Sequence, residues 1–233
     1  EPGREAHRLA FDYAFEVVAA GGTVFFGSSA DHKVYALDLA TGVEKWSFFT
    51  GGPVRFAPAV ENGRVWVASD DGCLYCLAAA DGALLWRFAA GPRRDLIFGN
   101  EQMTSRWPLR SGVAVENGVV YISAGMWPND GVYLYALKAE DGSVIWENLE
   151  YANRYQRLPH PPSSAFLSVA PQGSILGHRG QFFLPTGRNV PAAFDRDTGK
   201  MQYYHSQPDT WGNRWGGTWF FLYDGLLIGW RNH

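Results

Sequence analysis

The chain has 233 residues, of which 46% are hydrophobic and 15% aromatic, enough for one sizeable buried core. A formal net charge of −3 excludes a general nucleic-acid or anionic-surface binder. No apolar run approaches the length of a membrane span.

In chain order, strands alternate with tight turns. Ala14–Val18 and Thr23–Gly27 are predicted strands separated by Gly21-Gly22. The next stretch is the easiest to read. Phe56–Val60 is a short apolar strand, and Glu61-Asn62-Gly63 is a turn, because Asn and Gly accept positive φ cheaply. Arg64–Ser69 is a β-branched and aromatic strand, Asp70-Asp71-Gly72 a turn, Cys73–Ala78 a third strand, Asp81-Gly82 a turn and Ala83–Phe88 a fourth strand. Further on, Asn117-Gly118 and His178-Arg179-Gly180 take the first-turn slot, and Val119–Ser123 and Gln181–Thr186 take the second-strand slot. Thr218–Leu222, Asp224-Gly225 and Leu226–Trp230 open a fifth unit. No segment sustains a period of 3.6, so helices are expected to be few.

Each unit closes on the same cadence. Ala36-Leu-Asp38-Leu-Ala-Thr41-Gly42-Val-Glu-Lys-Trp46 is the fullest copy. Gly82 and Trp86, Gly142 and Trp146, and Gly199 and Tyr203 repeat its glycine-to-aromatic offset of four. Self-similarity at this period means a repeat architecture, and four-stranded antiparallel units of about 40–50 residues repeated radially are propeller blades.

The pattern Ala-x-Asp-x-x-Thr-Gly-x-x-x-Trp, matched at every fixed position by residues 36–46, resembles the tryptophan-docking motif of pyrroloquinoline-quinone-like (quinoprotein) β-propellers. The copy at 193–203 departs only at Tyr203; those at 76–86 and 136–146 lose the early Asp, and the first of these has Cys for Ala. The resemblance spans about residues 14–230. It implies an all-β propeller with blades near 14–49, 54–88, 111–147 and 173–205 and a partial blade over 216–233, forming one domain over 1–233. It also implies that Ala36, Asp38, Thr41, Gly42, Trp46, Gly82, Trp86, Gly142, Trp146, Gly199 and Tyr203 are structural docking residues. Four blades and half of a fifth form an incomplete ring, closed by missing blades or a second chain. A compact five-bladed closure with residues 1–12 lending a strand is the alternative. The chain begins and ends inside the repeat, with neither an initiator Met nor a signal peptide, and is expected to be a fragment of a larger protein. Family habit implies export to the periplasm or beyond.

Strand direction alternates along each blade, so outer-to-inner connections share a face with second-to-third turns. The long insertions Ala89–Ser111, Glu147–Gly173 and Ser206–Gly216, together with Ala124–Gly131, all fall on that face. The opposite turns are short. Loops on a rigid scaffold carry function disproportionately, so this mouth is the candidate site, with Arg94, Asn100, Arg106, Trp107, Arg110, Trp127, Arg154, His160, Asn213, Arg214 and Trp215 as candidate ligand-binding residues. Arginines and tryptophans of this kind hold an anionic or planar ligand by bidentate pairing and stacking. The alternative is that the loops bury their own Trp and pair Arg with local carboxylates. Cys73 and Cys76 have CxxC spacing, but on a strand i and i+3 point to opposite faces, so they are expected to be buried thiols. The histidines form no ligand set.

Two functional classes follow, with a third beside them. A non-catalytic propeller would serve as scaffold or recognition module through its long-loop face, binding other proteins or a small ligand. A quinone-dependent dehydrogenase would hold pyrroloquinoline quinone and Ca²⁺ and oxidise an alcohol or sugar. For that class Trp107, Trp127 or Trp215 is available to stack and Glu101, Asn100 or Asp95 to ligate, yet the adjacent cysteine pair usual in its alcohol-oxidising members is absent. Carbohydrate binding at the aromatic mouth is the third reading. The first is preferred, with no catalytic or metal-binding residue assigned.

Overall fold

A computed structural model describes residues 16–99, 102–149, 155–157, 164–166, 169–186, 190–204 and 220–229. Four four-stranded antiparallel sheets are strung along the chain, each a simple meander. Blade 1 comprises β1 (Val17–Ala20), β2 (Thr23–Ser28), β3 (Lys33–Asp38) and β4 (Glu44–Phe49). Blade 2 comprises β5 (Ala59–Glu61), β6 (Arg64–Ala68), β7 (Cys73–Ala78) and β8 (Leu84–Ala89). A hairpin, β9 (Leu96–Gly99) and β10 (Gln102–Ser105), precedes blade 3, which comprises β11 (Ala114–Glu116), β12 (Val119–Ala124), β13 (Tyr133–Lys138) and β14 (Val144–Asn148). A second hairpin, β15 (Tyr155–Arg157) and β16 (Ser164–Phe166), precedes blade 4, formed by β17 (Leu176–His178), β18 (Gln181–Leu184), β19 (Ala192–Asp195) and β20 (Met201–Tyr203). The pair β21 (Phe220–Tyr223) and β22 (Leu226–Gly229) begins a fifth sheet. Among the described residues the only helical element is a 3-10 turn at Pro128–Asp130.

The innermost strands adjoin in sequence, β1 on β5, β5 on β11, β11 on β17 and β17 on β21, so the sheets fan in chain order. The described sheets do not close a ring. The Glu16 carboxylate accepts from the Ala57 N–H and the Ser174 hydroxyl, each at 3.4 Å, and so links the entrances to blades 1, 2 and 4.

Alternation at period two gives each blade two apolar faces. In blade 2, Val65, Val67, Tyr75 and Leu77 pack with Phe25, Val34, Ala36 and Trp46 of blade 1. The opposite face, with Trp66, Leu74 and Cys76, packs against Val120, Ile122, Tyr135 and Leu137 of blade 3. Blade 3 turns Tyr121, Leu134 and Ala136 onto Phe182, Leu184, Ala192 and Phe194 of blade 4.

The recurring cadence has a repeated geometry. Trp46 donates its indole N–H to the Ala79 carbonyl at 3.0 Å, Trp86 to Ala139 at 3.2 Å and Trp146 to Arg196 at 3.0 Å. Each of these acceptors lies three residues before a turn glycine, and the indole ring lies over that glycine. A Cβ on Gly82, Gly142 or Gly199 would come within 2.7 Å of Trp46, 2.7 Å of Trp86 or 2.5 Å of Trp146, respectively. Positive φ and the overlying ring both demand glycine there. Across the sheet each aromatic faces a small side chain: Ala36 opposite Trp46, Cys76 opposite Trp86, Ala136 opposite Trp146 and Ala193 opposite Tyr203. The register slips immediately after that small residue in all four blades, a bulge that bends the outer strand.

The turn explains the variable Asp. Asp38 Oδ1 accepts from the Thr41 N–H and hydroxyl at 3.0 and 2.9 Å, and Asp195 does the same with Thr198 at 2.9 and 2.7 Å. These Thr41 and Thr198 bonds hold both carboxyls below the usual range. Where the early Asp is missing, an Asp sits in the Thr slot and accepts from the residue after glycine: Asp81 from Ala83 N–H at 3.0 Å and Asp141 from Ser143 N–H at 2.9 Å. One carboxylate per turn suffices, and either position supplies it.

Strand ends depart from the sequence reading where proline intervenes. The strand expected over 56–60 is confined to Ala59–Glu61, because Pro58 has no N–H to donate, and that expected over 181–186 stops at Leu184, before Pro185. The first strand runs on to Ala20, so Gly21-Gly22 forms the turn as expected. Two of the insertions, expected to be loop, each contain a hairpin, β9–β10 and β15–β16.

Candidate functional site

The described outer-to-inner connections of blades 1 and 2 return to the second-to-third turns of the same blades. The β4–β5 link lies against the β2–β3 turn through Thr50, whose N–H and hydroxyl both donate to the His32 carbonyl, at 2.8 and 3.0 Å. The β8–β9 link and the end of β10 likewise return to the β6–β7 turn, with Ala90 N–H donating to Gly72 at 2.9 Å and Ser105 N–H to Asp70 at 2.8 Å. His32 reaches the first hairpin, its Nε2 2.8 Å from Gln102 Oε1.

Two arginine clusters organise this end. Asp70 has 1% of its side chain exposed and accepts from Arg110 Nε and Nη2, both at 2.8 Å, and from Arg55 Nε at 2.7 Å. One buried carboxylate thus clamps the approaches to blades 2 and 3 with two guanidinium groups. Burial lowers the Arg55 pKa most, with the neighbouring Arg110 charge adding to it and Asp70 opposing. In the second cluster, Arg106 Nε meets Asp95 at 2.9 Å and its Nη1 meets Asp130 at 3.0 Å; Arg93 also meets Asp95, at 3.2 Å. Side-chain hydrogen bonds to Asp130 and Asp95 push Arg106 up, and the bond from Arg93 leads the causes that hold Asp95 down.

Trp107 is 3% exposed and belongs to the core between blades 2 and 3. Its indole N–H donates to the Asp130 carbonyl at 2.6 Å, Tyr133 meets its ring edge-on, and Arg93 lies over it at 5.6 Å. Arg106, Trp107 and Arg110 therefore take the local-pairing geometry, with their donors engaged by neighbouring carboxylates and a backbone carbonyl. Arg94 is exposed, as is Trp127 at 56%. Asn100, Arg154, His160, Asn213, Arg214 and Trp215 lie outside the described residues. Cys73 and Cys76 are free thiols, half-buried and buried; burial pushes Cys73 up to about 11 and raises Cys76 as well.

Sequence reasoning missed Asp70 and Arg55, because Asp70-Asp71-Gly72 reads as an ordinary turn. It also missed the apolar surface of the first hairpin. Leu96 and Phe98 share one face of β9, and Met103, directly opposite Phe98, extends that face onto β10. They are 42%, 76% and 52% exposed, while Thr104 on the other face is buried. The run Leu96-Ile-Phe98 before Gly99-Asn100 was the available signal for a hairpin.

A family model described as "Outer membrane protein assembly factor BamB" matches residues 6–97 and 71–211. The chain belongs to this PQQ-like β-propeller family. A tetrathionate hydrolase of Acidithiobacillus ferrooxidans is 25% identical over 114 residues, 49% of this chain and 19% of that protein. The outer membrane protein assembly factor BamB of Moranella endobia is 33% identical over 70 residues, 30% of this chain and 18% of that protein. The matches thus span about a fifth of these relatives' length. The quinohemoprotein alcohol dehydrogenase of Comamonas testosteroni superposes with a TM-score of 0.59 at 19% identity, covering 93% of this chain and 39% of that one, which shows a shared fold.

Of the residues weighed for the quinone and Ca²⁺ of the catalytic class, Trp127 is exposed and two others are engaged elsewhere. Trp107 has its ring in the core, and Asp95 is held by Arg93 and Arg106. Among the described residues no three His, Cys, Asp or Glu side chains gather as a metal set. Glu101, like Asn100 and Trp215, lies outside the described residues.

Proposed function

We propose that this chain is part of a non-catalytic PQQ-like propeller that recognises partner proteins through its long-loop face, in an extracytoplasmic compartment. The observation that carries this reading is the Leu96, Phe98 and Met103 patch, apolar and exposed on the β9–β10 hairpin. A rigid platform with exposed aromatic and thioether groups beside Arg93 and Arg94 has the composition of a protein interface core. By contrast, the arginines suited to a small anion, Arg106 and Arg110, are already engaged by carboxylates. The family model and the Moranella endobia relative, both named for outer membrane protein assembly, support partner binding over oxidation.

The test places a photo-crosslinking residue at Phe98, Met103 or Trp127, with Arg179 in a short turn at the opposite end as control. Crosslinks to a discrete protein from the mouth positions, with none from the control, are expected. The double variant Phe98→Asp, Met103→Lys should abolish those crosslinks at Trp127 while leaving the unfolding free energy within about 0.5 kcal/mol, as for exposed sites generally. Stoichiometric uptake of pyrroloquinoline quinone with Ca²⁺ and dye-linked turnover would overturn the proposal.

A further inference from the structure

On the rim of short turns, a cleft of about 300 Å³ lies between blades 2 and 3. That is the lower end of the roughly 300–1,000 Å³ of small-molecule sites. The register pairs Glu61 with Arg64 and Ala59 with Trp66, so Glu61, Arg64 and Trp66 share the face of blade 2 that turns toward blade 3. All three line the cleft, together with Lys138 and Glu140 from blade 3.

Trp66 is 1% exposed, and its buried Nε1 has no hydrogen-bond partner. A buried donor without an acceptor is destabilising. Packing alone does not call for it. Trp66 is the third residue after the turn glycine Gly63, and the residues at the same step after Gly22 and Gly180 are Phe25 and Phe183. A phenyl ring serves those blades; the indole adds a donor to a cleft that its ring lines.

A smaller cleft between blades 3 and 4 has a related lining. Tyr121 takes the Trp66 position and Glu116 the Glu61 position, around about 160 Å³. There the carboxylate is neutralised from within, by Arg196 at 2.9 Å. In the larger cleft Ala139 stands where Arg196 does, and the guanidinium comes from the other wall. Arg64 Nη1 donates to the Ala139 and Glu140 carbonyls, at 3.2 and 2.8 Å. The Glu61 and Glu140 carboxylates are left with no hydrogen bond or ion pair among the described residues, and Lys138 with no ion pair.

We propose that the cleft between blades 2 and 3 binds a small zwitterion of the α-amino acid type. Its ammonium meets Glu61 and Glu140, and its carboxylate accepts from the Trp66 indole and pairs with Lys138. Two carboxylates and two cations, Arg64 and Lys138, line the cleft, so a ligand bearing both signs suits it better than a lone anion or a lone cation. The site is separate from partner recognition at the long-loop face, and either can fail without the other.

Isothermal titration calorimetry of the natural-length protein with glycine, L-alanine and L-glutamine tests this, with acetate and methylamine as single-charge controls. Saturable binding of at least one amino acid is expected, with neither control bound. Trp66→Phe supplies the ring that two other blades carry at this step, so Tm should hold while affinity falls about tenfold, the loss of one hydrogen bond to a charged group. Glu61→Gln should weaken binding as well, and reads the same site should Trp66→Phe not fold. Glu116→Gln, in the smaller cleft, should leave binding unchanged. In ¹⁵N–¹H spectra the Trp66 indole peak should move downfield as the amino acid is added, reporting a new acceptor. No uptake of any of the three amino acids, equal affinity for acetate, or binding indifferent to both Trp66→Phe and Glu61→Gln overturns the proposal, as does an indole peak that stays in place at saturation.

Discussion

At the scale of single residues, the tryptophans of the cadence are structural, and their environment states how much they contribute. Trp46 is 8% exposed, roofs Gly82, touches Phe25 and places its N–H on Ala79. Trp46→Ala is expected to destabilise by about 3–5 kcal/mol, as for other emptied aromatic sites, measurable by urea denaturation. The cysteines show how chemistry-bearing residues can be packing residues. Cys76 occupies the small slot opposite Trp86, where the other blades have alanine, so a compact apolar group is what the site selects. Cys73 carries a thiol pushed up to about 11, chiefly by burial and then by Asp71. From an ordinary value of 9.0 that shift lowers the thiolate fraction at pH 8 on the order of 100-fold. Iodoacetamide at pH 8 should therefore alkylate Cys73 about that much more slowly in the native protein than in urea, with mass spectrometry as readout. The raised value also fixes a sign: its contribution to stability is whole below pH 9.0 and fades as pH climbs through 11.

At the scale of elements, the connections rather than the strands carry what is particular to this chain. The Asp70 carboxylate ties Arg55, from the β4–β5 link, to Arg110, from the approach to blade 3. Asp70→Ala would leave two cations facing each other in a buried setting, and a loss of about 3–5 kcal/mol is expected. Asp70→Asn keeps an acceptor and should cost less; the two variants compared by thermal unfolding read the charge itself. The strands were legible because most carry alternating apolar residues beside glycine turns such as Asn62-Gly63, Asp81-Gly82 or Thr41-Gly42. Their ends were less so, since Pro58 and Pro185 truncate ladders through missing donors, which hydrophobic pattern alone does not weigh. The Leu96–Ser105 hairpin escaped because its apolar residues face outward, where burial imposes no periodic signature on the sequence.

For the molecule as a whole, the order of the blades was readable from one spacing, because Gly82, Gly142 and Gly199 each recur where an indole from the previous blade must land. The mouth was readable only as a place. Its long insertions pointed to one end of the blades, but whether an arginine such as Arg106 faces a ligand or a neighbour depends on where Asp95 and Asp130 fold to. Those partners lie 11 and 24 residues away, beyond the reach of local pattern.

The Trp-to-Gly contacts sit at the short turns, and among the described residues the long insertions leave from the other rim. Growth and exchange of loops are therefore mechanically separated from assembly. Inserted sequence can lengthen, shrink or change its chemistry at the variable rim without touching the joints that hold successive sheets together. A repeat partitioned in this way permits new specificities to arise on an old chassis, with the cost of each experiment confined to one rim.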